Sequence, residues 1–246
     1  MPTEQIGKTG IPSLLRRWPE TARILIGLGL GIALLWLATP RTMAAFMNLP
    51  GDPVLQAMQT DQPVTSDDLR GFIISRENAL AWIDAGRTWT DLSLGYLRLA
   101  GQTEDDGTGA TNYLELSAKA LKTGLSKAPA NPYAWARMSY LDLRLEGAGV
   151  DARNSLIFSL FTGPYERPLA ESRVEYALAV WHELTVSQQA LVQEQVVFLD
   201  RFDRWSLLGL IRQNLDAQVI ALTALANEPE RKAALLAALL ADLKKK

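Results

Sequence analysis

Residues 117–140 read Ser-Ala-Lys-Ala-Leu-Lys-Thr-Gly-Leu-Ser-Lys-Ala-Pro-Ala-Asn-Pro-Tyr-Ala-Trp-Ala-Arg-Met-Ser-Tyr, and the two prolines in the middle dominate what the chain can become. Pro129 and Pro132 offer no amide hydrogen, and each drives the residue before it toward extended backbone, so a helix ending near Lys127 cannot run through them. A second helix starts at Pro132, where a fixed φ suits the first helical position, and turns Trp135 inward. Two helices joined this tightly pack against each other. With 246 residues and 48% apolar content, the chain has room for one sizeable core around such a pair.

The N-terminus carries a second strong constraint. Residues 1–20 form a polar leader, and residues 24–38 then contain no charge. Fifteen residues rise about 22 Å as a helix, less than the roughly 30 Å of bilayer hydrocarbon, so a span must recruit flanking residues and run over about 21–46. Lys8, Arg16, Arg17 and Arg23 precede it and Arg41 alone follows closely, which by the positive-inside rule leaves the leader cytoplasmic. Everything after the span is then extracytoplasmic, in the periplasm if the cell is a Gram-negative bacterium. A cleaved signal peptide is the competing reading, with Thr42-Met43-Ala44 or Met43-Ala44-Ala45 as the small-residue cleavage site. The long leader and the Pro40-Arg41 pair favour a retained signal anchor. Within the span, Gly27 and Gly31 stand four apart and Ala33 follows Gly29 at the same interval, a spacing that lets a partner helix or a second copy approach closely.

Residues 47–65 hold Pro50, Gly51, Pro53 and Pro63 and read as a linker between the span and a helical domain over 66–246. Ser66 is placed to cap the first helix, with Asp67 and Asp68 in its first turn. Leu69, Phe72, Ile73, Leu80 and Ile83 make its apolar stripe, which Arg76 interrupts.

Trp89, Leu92, Ser93 and Tyr96 then recur at intervals of three, one and three, followed after a loop over 101–112 by Ala118, Leu121, Gly124, Leu125 and Pro129. Trp135, Met138 and Ser139 open a second set, which turns at Gly147 and continues with Ala152, Leu156, Ser159, Leu160 and Pro164. This order over residues 86–164 resembles the tetratricopeptide repeat, in which small residues let paired helices approach and a proline ends each unit. The resemblance implies an all-α fold: one transmembrane helix, then a stack of antiparallel helix pairs closed by capping helices. Asp142 departs from the pattern, standing where a tyrosine is wanted. Downstream, a helix after Pro168 and another capped at Ser187 are expected, then a last helix capped by Asn227 and ending in Lys244, Lys245 and Lys246.

Little in the chain points to a reaction. With no cysteine, disulfides, thiolate metal sites and cysteine nucleophiles are excluded, and His182 is the single histidine. A net charge of -2 gives no global signature of nucleic-acid binding. Residues 103–107 lack the alternating ligands and distant glutamate of a calcium loop, and Gly27, Gly29 and Gly31 lie in the apolar span rather than after a strand. No metal or cofactor is expected, and the chain reads as non-catalytic. The resemblance instead implies a concave partner-binding surface on the first helix of each unit, carrying Arg87 and Arg98, then Tyr133, Arg137, Tyr140 and Arg144. Two functional expectations follow: a membrane-anchored scaffold or accessory subunit of an envelope complex, or an accessory factor in envelope polysaccharide biosynthesis or export. Whether a helix of the same chain fills that surface stays open.

Overall fold

In the computed structural model, which describes residues 20–103 and 108–243, every regular element is helical. The first helix, α1 (Glu20–Asn48), has 29 residues, about 43 Å at the helical rise, and is long and apolar enough to cross a membrane. None of its residues is buried, and Leu25, Leu34, Leu35 and Trp36 are turned fully outward. Pro40 lies inside it, where Thr39 and Thr42 return their hydroxyls to the carbonyls of Leu35 and Ala38.

Part of the segment expected to be a linker is folded. A short 3-10 turn (Leu49–Gly51) leads directly into α2 (Asp52–Gln59), and both rest on α3 (Ser66–Leu80). The prolines that suggested a tether serve as helix starters, Pro50 and Pro53 each falling in a first turn. Gly51 is buried so closely that an added Cβ would clash with Ser75 Oγ. The cap of α3 is Thr65 rather than Ser66, because Asp68 completes a reciprocal capping box with it.

Two helix pairs follow. Helix α4 (Gly86–Gln102) packs along α5 (Thr108–Lys127), and α6 (Pro132–Leu145) packs along α7 (Val150–Thr162), these being the most extensive helix contacts in the chain. The expected loop over 101–112 is shorter than the sequence suggested. Both flanking helices extend into it, since Leu99, Ala100 and Leu114 bury against the pair. Small residues set the spacing: Ser93 and Ser117 hydroxyls meet at 2.9 Å, and Ser139 donates to the Ala152 carbonyl at 2.8 Å. Gly147 takes φ +86 in the turn between α6 and α7, a conformation glycine enters without penalty. Trp135 stacks on Phe158 across that pair, with centroids 4.8 Å apart.

Helix α8 (Arg167–Ala179) lies against α6 and α7 and starts the C-terminal part. A 3-10 turn (Trp181–Glu183) leads to α9 (Val186–Phe202), whose cap is Thr185 with Gln188 rather than Ser187. Asp203 breaks the chain before α10 (Arg204–Ile211), then come α11 (Leu215–Ala224) and α12 (Pro229–Leu243). The last helix begins at Pro229, one turn position later than a cap at Asn227 would give. The three terminal lysines, like the polar leader up to Pro19, fall outside the described residues. Val174, Val196, Leu199, Leu207, Ile211 and Leu235 form the core of this part.

Candidate functional site

Helices α4, α6 and α8 together line an open groove of about 500 Å³, the size range of ligand and peptide sites. From α4 come Leu94, Leu97 and Arg98; from α6, Tyr133, Arg137 and Tyr140; from α8, Leu169, Ser172 and Tyr176. Four of the residues expected on a concave surface therefore meet in one place: Arg98, Tyr133, Arg137 and Tyr140. The other two do not. Arg87 and Arg144 are exposed but outside the groove: Arg87 lies two turns before Leu94 and Arg144 one turn beyond Tyr140, on the same helix faces but past the lining residues. Among the described residues no further helix closes the groove; α8 forms one wall.

The local chemistry is set by how each side chain is held. Arg137 bridges from α6 to α4, donating from Nη1 to the Thr90 carbonyl at 2.7 Å. Burial pulls its pKa down to about 10, with the Asp91 carboxylate opposing that shift, so it stays cationic at neutral pH. Asp91, two turns before Arg98 on α4, is not part of the lining; burial raises its carboxyl above the ordinary range, and Arg76, Arg87 and Arg137 hold it partly back. Arg98 is half exposed and loosely tethered, 3.5 Å from the Met58 carbonyl and 3.9 Å from Asp61. Tyr133 donates its hydroxyl to Glu166 at 2.9 Å. Tyr140 and Tyr176 tilt against each other with ring centroids 5.9 Å apart, and burial pushes the Tyr176 phenol up to about 12.

Such a groove joins two guanidinium groups, three tyrosines and a leucine floor, with no carboxylate among the described residues of its lining. That combination offers area, directed hydrogen bonds and positive charge, the properties of protein-binding surfaces. The α8 wall was not foreseen from sequence. Tyr176 belongs to an apolar stripe, and only the stacking of α8 on α6 brings it opposite Tyr140.

The remaining sequence candidates lie elsewhere. In α1, a Cβ added at Gly27 or Gly31 meets nothing within 4 Å, and Ala33 is exposed. His182 is exposed in the 3-10 turn before α9. Among the described residues no three His, Asp or Glu side chains gather as metal ligands do, and most of the acidic 103–107 loop falls outside those residues. No protein-family model, curated protein or solved structure matches this chain.

Proposed function

We propose that this chain is a membrane-anchored, non-catalytic scaffold or accessory subunit that holds a partner protein in the groove between α4, α6 and α8. On this reading α4 with α5, and α6 with α7, are two tetratricopeptide-like units, and the helices from α8 onward cap the stack. The leader is cytoplasmic and the helical domain sits across the membrane, in a periplasm for a Gram-negative cell. The observation that carries the reading is the convergence of Arg98, Tyr133, Arg137 and Tyr140, from the first helices of successive pairs, on one open groove. The apolar, outward-facing α1 supplies the anchor, and Gly27, Gly31 and Ala33 supply a face on which another membrane helix can pack.

Affinity capture of the full chain after mild detergent extraction tests this. A co-purifying protein that is retained by Arg144→Ala but lost from Arg98→Ala and Tyr140→Ala, all melting as wild type, supports the groove. Recovery of the chain alone and monomeric, under conditions that keep known complexes together, overturns the proposal.

A further inference from the structure

Asp142 is the position at which the second helix pair departs from the repeat-like spacing, and its surroundings give the departure a use. It is 5% exposed on α6 and accepts one hydrogen bond, from Ser155 Oγ to Oδ2 at 2.8 Å. It makes no ion pair among the described residues. The fold treats its other enclosed carboxylates differently: Asp200 is gripped by Arg204 and Arg231, and Asp91 faces Arg76 at 3.8 Å. A buried carboxylate without a cation is costly, and departures of this kind from local rules gather at functional sites.

Asp142 lines a cavity of about 430 Å³ between α5, α6 and α7, separate from the groove. The stacked rings of Trp135 and Phe158 line it together with Asp142, Asp151 and Asn154. Lys122 also lines it, exposed and, among the described residues, without an ion pair. We propose that this cavity binds an alkylammonium group, with the Asp142 carboxylate as its counter-ion and the Trp135 and Phe158 rings as its apolar wall. An ammonium over an aromatic face gains from the ring quadrupole while its alkyl stem fills apolar space. Two carboxylates against one exposed lysine disfavour an anion, and a neutral ligand would leave Asp142 uncompensated. A metal ion wants several oxygen ligands, whereas among the described residues no three His, Asp or Glu side chains converge here. Burial raises the Asp142 carboxyl above the ordinary range, with Ser155 and Lys122 opposing and Asp151 and Glu146 adding to it, so its charge is incompletely compensated.

Two sources can supply this chemistry, a free amine or a lysine side chain of a partner. Calorimetry and saturation-transfer NMR on the full chain in nanodiscs, using n-butylammonium chloride and Nα-acetyl-lysine N-methylamide, separate them. Saturable binding of either probe, with none of n-butanol, is the expected result. Comparable binding of both assigns free amines; preference for the lysine derivative assigns a partner's side chain. Asp142→Asn should weaken binding at least about tenfold, and Lys122→Gln should tighten it a few-fold by removing the competing charge. The proposal is overturned by the absence of saturable binding at millimolar probe, by equal binding of n-butanol, or by a folded Asp142→Asn that binds as wild type. Should Asp142→Asn fail to fold, an unchanged affinity in Lys122→Gln counts against the site in the same way.

Discussion

Arg76 donates from Nη1 to the main-chain oxygen of Asn48 at 2.7 Å, across 28 positions of sequence. Asn48 closes α1, so this carbonyl belongs to the helix end that lacks internal partners and carries partial negative charge. The same guanidinium donates to Asp52 at 2.9 Å, faces Asp91 at 3.8 Å and lies 4.5 Å from the centre of the Phe72 ring. One cation, 1% exposed, thus ties the end of the apolar helix to α2, α3 and α4.

Replacing Arg76 by Met should be among the most damaging single changes outside the apolar core. It keeps bulk but leaves the Asn48 carbonyl without its donor and Asp91 without its nearest cation, costing about 3 kcal/mol. Arg76→Lys should recover only part of this, because one ammonium cannot reproduce the fork that serves Asn48 and Asp52 together. Thermal denaturation of the full chain in detergent reads both variants. Melting of Arg76→Met within error of wild type would mean that water solvates these groups.

Glycines separate close helix approach from mere composition. A Cβ at Gly124 would stand 2.9 Å from Thr90 Oγ1 and 3.1 Å from the Gly86 carbonyl, and the latter is backbone that cannot swing aside. Gly124→Ala should therefore force α4 and α5 apart and cost about 1–3 kcal/mol. At Gly71, inside α3, an added Cβ meets nothing within 4 Å. Gly71→Ala should stabilise by about 0.5–1 kcal/mol through helix propensity and a less flexible unfolded chain. Urea unfolding of the pair gives opposite signs if close packing rather than composition explains Gly124.

These glycines also mark how far the sequence could be read. The spacing of Ser93, Gly124 and Ser139 points to paired helices because small residues at fixed intervals have few other uses, and all three are buried. The caps are Thr65 and Thr185 rather than Ser66 and Ser187, and Asp68 and Gln188, three residues on, mark the true register. The 101–112 stretch looked like a loop because its glycines and polar residues favour one, yet burial of Leu99 and Leu114 overrides that preference. Arg76 and Asp142 were legible only as interruptions of apolar stripes. Their partners lie on other elements, as does the α8 wall of the groove, and no local spacing encodes such long-range placement.

Because the chain has no cysteine, one introduced thiol reports topology without background. On the orientation we propose, Lys119→Cys, exposed on α5, should react with a membrane-impermeant maleimide once only the outer barrier is opened. The protein should also resist alkaline extraction, and its intact mass should include residues 1–40. A mass lacking them would replace the anchor with a cleaved signal. Labelling only after the inner membrane is breached would reverse the orientation.

Acid should act oppositely on two buried carboxylates. Burial raises the Asp142 pKa above its ordinary 3.8, so the folded state holds the proton more tightly than the unfolded chain. Its contribution is most favourable below about 3.8 and is lost as pH rises through the folded value. Asp142→Asn should thus be more stable than wild type at neutral pH, and the gain should shrink as pH falls. At Asp200 burial also pushes upward, but the hydrogen bonds from Arg204 and Arg231 outweigh it and the net shift is downward. Its contribution is present above the ordinary value and lost as pH falls through the folded one. Asp200→Asn should cost about 2 kcal/mol at neutral pH, a figure moderated because Arg204 and Arg231 are about a third exposed, and the cost should fade in acid. Urea midpoints of both variants, measured from pH 7 to pH 3, should converge on wild type from opposite sides. Parallel curves would show that neither carboxylate titrates differently in the folded state.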